Sequence, residues 1–137
     1  MSQSLTSENE AASNVTTGKV LNVVLWVLQV GAAAIFLIAG FSKLSGDPLA
    51  VAGFEQIGLG QWFRYLTGAL EVAGALALLT PWCSGVGALL LVAVMIGAVA
   101  THLLVLGGSP LMAIICLVVT AIIAWGRRGR ALRLLGR

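Results

Sequence analysis

"RYLTGALEVAGALALL", residues 64–79, reads as a membrane helix that carries two charges, Arg64 at its start and Glu71 near its middle. A carboxylate facing hydrocarbon has nothing to solvate it, so such a residue turns toward the bundle interior or a partner charge. Arg64 and Glu71 are seven residues apart, two helical turns, and so share a face. Gly68 lies between them and Ala75 continues the line, which makes the stripe small and polar. The stretch therefore predicts a helix packed tightly against a neighbour, with its charges inside.

The rest of the chain fits that environment. Of its 137 residues, 59% are hydrophobic and 9% charged, with a mean hydropathy of +1.02. A water-soluble domain of this size needs a far more polar surface, so lipid is the expected solvent. The net charge of +3 is unevenly placed, with five of six arginines in "RRGRALRLLGR", residues 127–137. Because this run directly follows an apolar segment, it reads as a basic cytoplasmic tail facing anionic lipid, not a nucleic-acid site. The two cysteines, Cys83 and Cys116, form no Cys-x-x-Cys pair, and no cysteine–histidine cluster encodes zinc.

Residues 1–18 are rich in Ser, Thr, Asn and Glu without apolar rhythm and are expected to form a disordered cytoplasmic tail. They lack the basic start of a signal peptide. Four apolar stretches follow in a membrane domain over residues 19–126: about 20–40, 62–79, 85–106 and 110–125. A span needs about 20 apolar residues. The short turns "TPWCSG" and "GGSP" make consecutive spans antiparallel. The predicted fold is thus all-α, an antiparallel four-transmembrane-helix bundle. In the longer first connection, Asp47 suits an N-cap, Pro48 the first helical turn and Gly58 a stop. These predict a short interfacial helix, with Leu49, Ala52, Phe54 and Ile57 on apolar surface. Trp26, Trp62, Trp82 and Trp125 are spaced as interface belts require, at span ends for at least three of them. Lys19 and the five terminal arginines outweigh Lys43 and Arg64, which puts both chain ends in the cytoplasm.

In this topology Lys43, Arg64 and His102 come to the outer side, and Glu71 lies about 13 Å into its span. The first span carries a matching stripe of Gln29, Ala33, Phe36, Gly40 and Lys43, expected to face the Arg64–Ala75 stripe. The candidate ligand-binding or proton-handling residues are Glu71, His102, Lys43, Arg64 and Gln29. Each has a structural alternative: Glu71 as an ion-pair partner of Lys43, Arg64 or His102, Gln29 as an interhelical hydrogen-bond link, and His102 as a helix-end residue. A single histidine cannot supply two axial haem ligands, no spacing suggests a metal centre, and "GLG" at 58–60 lacks a nucleotide-binding context. No self-contained catalytic motif is present.

Three segments together resemble a known family: "GFSKL" closing the first span, the Glu-centred "RYLTGALEVAGALALL", and "ATHLL" ending the third. In this order and spacing, over about residues 20–126, they resemble the DoxX family of small bacterial membrane proteins. The resemblance implies a four-helix protein of the inner membrane. Some relatives are associated with a thiosulfate:quinone oxidoreductase subunit, and others with membrane complexes that handle oxidative stress and thiols. It carries Lys43, Glu71 and His102 over by motif. The function expected is a redox-associated subunit that binds a quinone-like or other amphipathic molecule in the outer half of the bundle, with a redox partner protein. The alternative is a non-enzymatic scaffold for a partner, its buried charges purely structural. The missing cysteine pair argues against direct thiol–disulfide chemistry.

Overall fold

The structure, a computed structural model, describes residues 2–129 and 132, with residues 2 and 12–17 by backbone alone. Among the described residues all regular structure is helical: α1 (Ser2–Ser45), α2 (Pro48–Ile57), α3 (Gln61–Leu78), α4 (Ser84–Thr101) and α5 (Leu111–Gly126). A π-helical turn, His102–Leu106, extends α4. Two stretches are long and apolar enough to cross a membrane, Gly18–Ser45 and Ser84–Leu106, and Leu111–Gly126 is a shorter apolar helix.

The amino-terminal segment departs from the expected disorder. α1 begins at Ser2 and runs without a break into the apolar stretch. The physical reason is that helix nucleation, the costly step, is already met by the apolar part, and Ala11, Ala12, Glu8 and Glu10 propagate a helix well. Residues 3–11 are exposed, so the extension adds helix without adding core. At the other end, residues 130, 131 and 133–137 of the basic tail lie outside the described residues, and Arg127, assigned to that tail, is buried.

α2 forms where its capping residues predict. The Asp47 carboxylate accepts from the Leu49 amide at 2.9 Å, Pro48 occupies the first turn, and Gly58 closes the helix at φ +82°, which glycine adopts without strain. Phe54 is buried against Phe63, ring centroids 5.8 Å apart, while Leu49 remains 85% exposed. Gln56 Nε2 donates to the Val105 carbonyl, tying α2 to the π-helical turn.

Packing follows the two stripes. Arg64, Gly68, Glu71, Ala75 and Leu78 are the buried face of α3, and Gln29, Ala33, Phe36 and Gly40 are buried on α1. The helices meet at Gly40 and Gly68. A Cβ added at Gly40 would lie 2.7 Å from Val72 Cγ2 and 2.9 Å from the Gly68 carbonyl oxygen. In lipid no hydrophobic force drives helices together, so this close approach and its van der Waals contact hold the pair. α3 and α4 meet likewise, where a Cβ on Gly87 would fall 2.6 Å from that of Ala77. α1 packs most closely on α3, and α4 on α3 and α5, whereas α1 meets α5 only sparsely.

Candidate functional site

Lys43 is near the end of α1 and Glu71 is nearly three turns inside α3, yet they pair. Lys43 Nζ lies 2.9 Å from Glu71 Oε1 and donates to Oε2 at 3.3 Å. Gly68, one turn before Glu71, makes this possible, because a Cβ there would come within 3.0 Å of Lys43 Cβ. The lysine stem therefore runs down a groove in α3 to reach the carboxylate. Glu71 keeps 2% of its side-chain surface and Lys43 keeps 21%, so the pair is buried at its anionic end and open at its cationic end.

Arg64 shares the α3 face but does not bond to Glu71. Its Nε donates to Gln61 Oε1 at 2.7 Å, its Nη1 donates to the Lys43 carbonyl, and its guanidinium stacks 4.3 Å over the Tyr65 ring. The Lys43 carbonyl is one of the last four of α1, which have no partner within the helix. A cation there also meets the negative end of the helix dipole. Arg64 is thus a helix cap that sets where Lys43 stands.

His102 opens the π-helical turn, and its Nδ1 is 3.0 Å from the Ala98 carbonyl one turn back. The structure brings Lys43, Glu71 and Arg64 into one neighbourhood, while His102 makes no bond to any of them.

Gln29 belongs elsewhere. It is fourteen residues from Lys43, about 21 Å along α1, and is fully buried. Its Nε2 donates to the Leu78 carbonyl of α3 at 2.7 Å, and its Oε1 accepts from Arg127 Nε at 2.7 Å. Arg127 Nη1 also donates to Asn22 Oδ1 at 3.0 Å, and its guanidinium lies 5.7 Å from the Trp26 ring centroid. This second junction ties α1, α3 and the end of α5 together. It is the interhelical link expected of Gln29, toward the opposite end of the bundle from Lys43. Asn22 and Arg127 were missed. The available signal was that Asn22 and Gln29 are seven residues apart on one face of α1, as Arg64 and Glu71 are on α3.

Cys116 on α5 is buried. Beside it α1 and α5 part to leave an apolar groove of about 200 Å³, bounded by Val27, Gly31 and Phe36 on one side and by Met112, Cys116 and Val119 on the other. Among the described residues no three His, Cys, Asp or Glu side chains cluster as metal ligands. What the arrangement offers is one buried acceptor, one half-open donor and apolar walls.

A family model described as the DoxX-like family matches residues 27–127, from α1 through Arg127. This chain belongs to the DoxX-like family. A relative is the uncharacterized protein YdgD of Bacillus subtilis (strain 168), 36% identical over 107 residues that cover 73% of this chain and 94% of that protein. No solved structure matches the chain. The matched region of the DoxX-like protein contains Lys43, Arg64, Glu71, Gln29 and Arg127, and leaves out Asn22 and the amino-terminal helical extension.

Proposed function

We propose that this DoxX-like protein spans the bacterial inner membrane four times, with both ends cytoplasmic, and binds a small amphipathic molecule with a quinone-like head at Lys43 and Glu71. In this reading it is a redox-associated subunit, and the oxidation or reduction itself belongs to a partner protein. The observation that carries it is the asymmetric pair: a carboxylate 2% exposed, held by an ammonium that is 21% exposed. An intramembrane carboxylate of this kind is a functional-site candidate by default. The Lys43 ammonium has three donors, so it can bond a ligand carbonyl while keeping Glu71. Glu71 accepts a hydrogen bond from a ligand hydroxyl. Arg64 acts by position, holding the end of α1 from which Lys43 reaches. His102, with Nδ1 engaged by Ala98, has Nε2 for proton exchange with the outer aqueous side.

Decylubiquinol, whose ring hydroxyls can donate to Glu71, titrated anaerobically into the detergent-purified protein and read by tryptophan fluorescence, tests the reading. Glu71→Gln is expected to weaken binding about tenfold, equivalent to about 1.4 kcal/mol, while costing only about 1 kcal/mol of stability, so that the variant stays folded in detergent. Equal affinity for the two proteins overturns it.

One observation favours the scaffold alternative: both Glu71 oxygens already lie on Lys43. On that reading the pair only sets the register of α1 on α3, and a partner protein binds elsewhere. It predicts no quinone binding and a loss of stability as the main effect of Glu71→Gln.

A further inference from the structure

The α1–α5 seam is not uniform. At the Arg127 end the two helices are locked: Arg127 bonds Gln29 and Asn22, and Gly126 lies so close to α1 that an added Cβ would meet Leu25 Cδ2 at 2.6 Å. Toward the Lys43 end they part around the apolar groove, which follows α1 from Val27 to Phe36, about 13 Å of helix. The seam is therefore a wedge, closed at the Arg127 end by a buried polar junction and widening toward the end that holds Lys43 and Glu71. Gly31 is on its α1 wall with no atom within 4 Å of where a Cβ would be, so open space faces it. Phe36 and Cys116, both buried, are on opposite walls near its wide end.

We infer that this wedge is a subsite for the apolar tail of the amphipathic ligand, and the lateral route by which it enters from lipid. The inference rests on the head-group reading above and adds the place of the chain. The occupant is a single flexible hydrocarbon or isoprenoid chain, for three reasons. The walls named are apolar apart from one thiol, the closed end stops a chain from passing through, and α1 leads on from Phe36 at the open end to Lys43, about 10 Å further along the helix. A ligand with its head at Lys43 and its tail in the wedge satisfies both ends at once, which neither site does alone.

The test uses the full chain in lipid nanodiscs with Cys83→Ser, which leaves Cys116 as the single thiol. Two probes share a head: decylubiquinone, with a ten-carbon tail, and tail-less ubiquinone-0. Decylubiquinone is expected to bind about tenfold more tightly than ubiquinone-0 and to slow N-ethylmaleimide alkylation of Cys116 about tenfold. Gly31→Leu, which fills the wedge, is expected to abolish both differences and leave ubiquinone-0 binding unchanged. Val27→Phe on the same wall serves if Gly31→Leu fails to fold. Retention of the tail advantage and of Cys116 protection in the filled variants overturns the wedge as tail subsite, while the head site stands. Failure of both probes to bind wild type overturns both readings. A filled variant that changes from dimer to monomer with quinone binding untouched assigns the wedge to a second copy of the chain, and that also overturns the inference.

Discussion

Lys43 and Glu71 are unequal partners, so their loss has unequal consequences. Removing the lysine strands a carboxylate that is 2% exposed, whereas removing the carboxylate leaves an ammonium that already reaches the surface. Leaving the buried member of an ion pair without its partner costs about 3–5 kcal/mol. Lys43→Met is therefore expected to destabilise by about 3 kcal/mol and Glu71→Gln by about 1 kcal/mol, in keeping with the net value of one hydrogen bond. Unfolding in sodium dodecyl sulfate titrations of mixed micelles measures both. Equal losses would show that Lys43 does not gain from its contact with water.

At the level of elements, glycines divide into those that a neighbour fills and those it does not. Gly40 holds α1 against α3 with less than a Cβ's room, whereas Gly31 faces open space. Gly40→Leu is expected to force the helices apart at a cost of at least about 1–3 kcal/mol. Gly31→Ala is expected to be neutral or to stabilise α1 by up to about 1 kcal/mol, through helix propensity alone. The same unfolding titration separates them. α2 depends on a different element, its cap. Asp47→Ala removes the acceptor for the Leu49 amide and is expected to cost about 1 kcal/mol locally. Faster hydrogen exchange in residues 49–51, with the spans unchanged, checks this.

Across the whole molecule, two polar junctions clamp the bundle near its two ends: Lys43–Glu71 with the Arg64 cap, and Gln29–Arg127–Asn22. The second joins three helices through one buried guanidinium. Gln29 and Arg127 are therefore expected to be coupled by about 1–3 kcal/mol in a double-mutant cycle, since each alone leaves the other's buried groups unmet. Additive losses from Gln29→Ala and Arg127→Ala would argue against a single junction.

The sequence by itself determined what is local. Period and composition marked the apolar helices, Asp47, Pro48 and Gly58 bounded α2, and the Gly68 and Gly40 stripes identified the faces that meet. Each of these depends on backbone sterics or on neighbours within a few turns. Tertiary structure decided which polar groups reach one another. Arg64 and Glu71 share a face, but Arg64 turns to the end of α1 while Lys43 comes down to Glu71. Gln29 lies on the same stripe as Lys43 but about 21 Å away, where it meets an arginine 98 positions later in the chain. The physical reason is reach. A long side chain can bond anywhere within several ångströms of its Cα, and which partner it takes depends on the relative levels of helices that no single segment encodes. The amino-terminal extension shows the converse, since a polar stretch without rhythm became helical by continuing a helix already nucleated beside it.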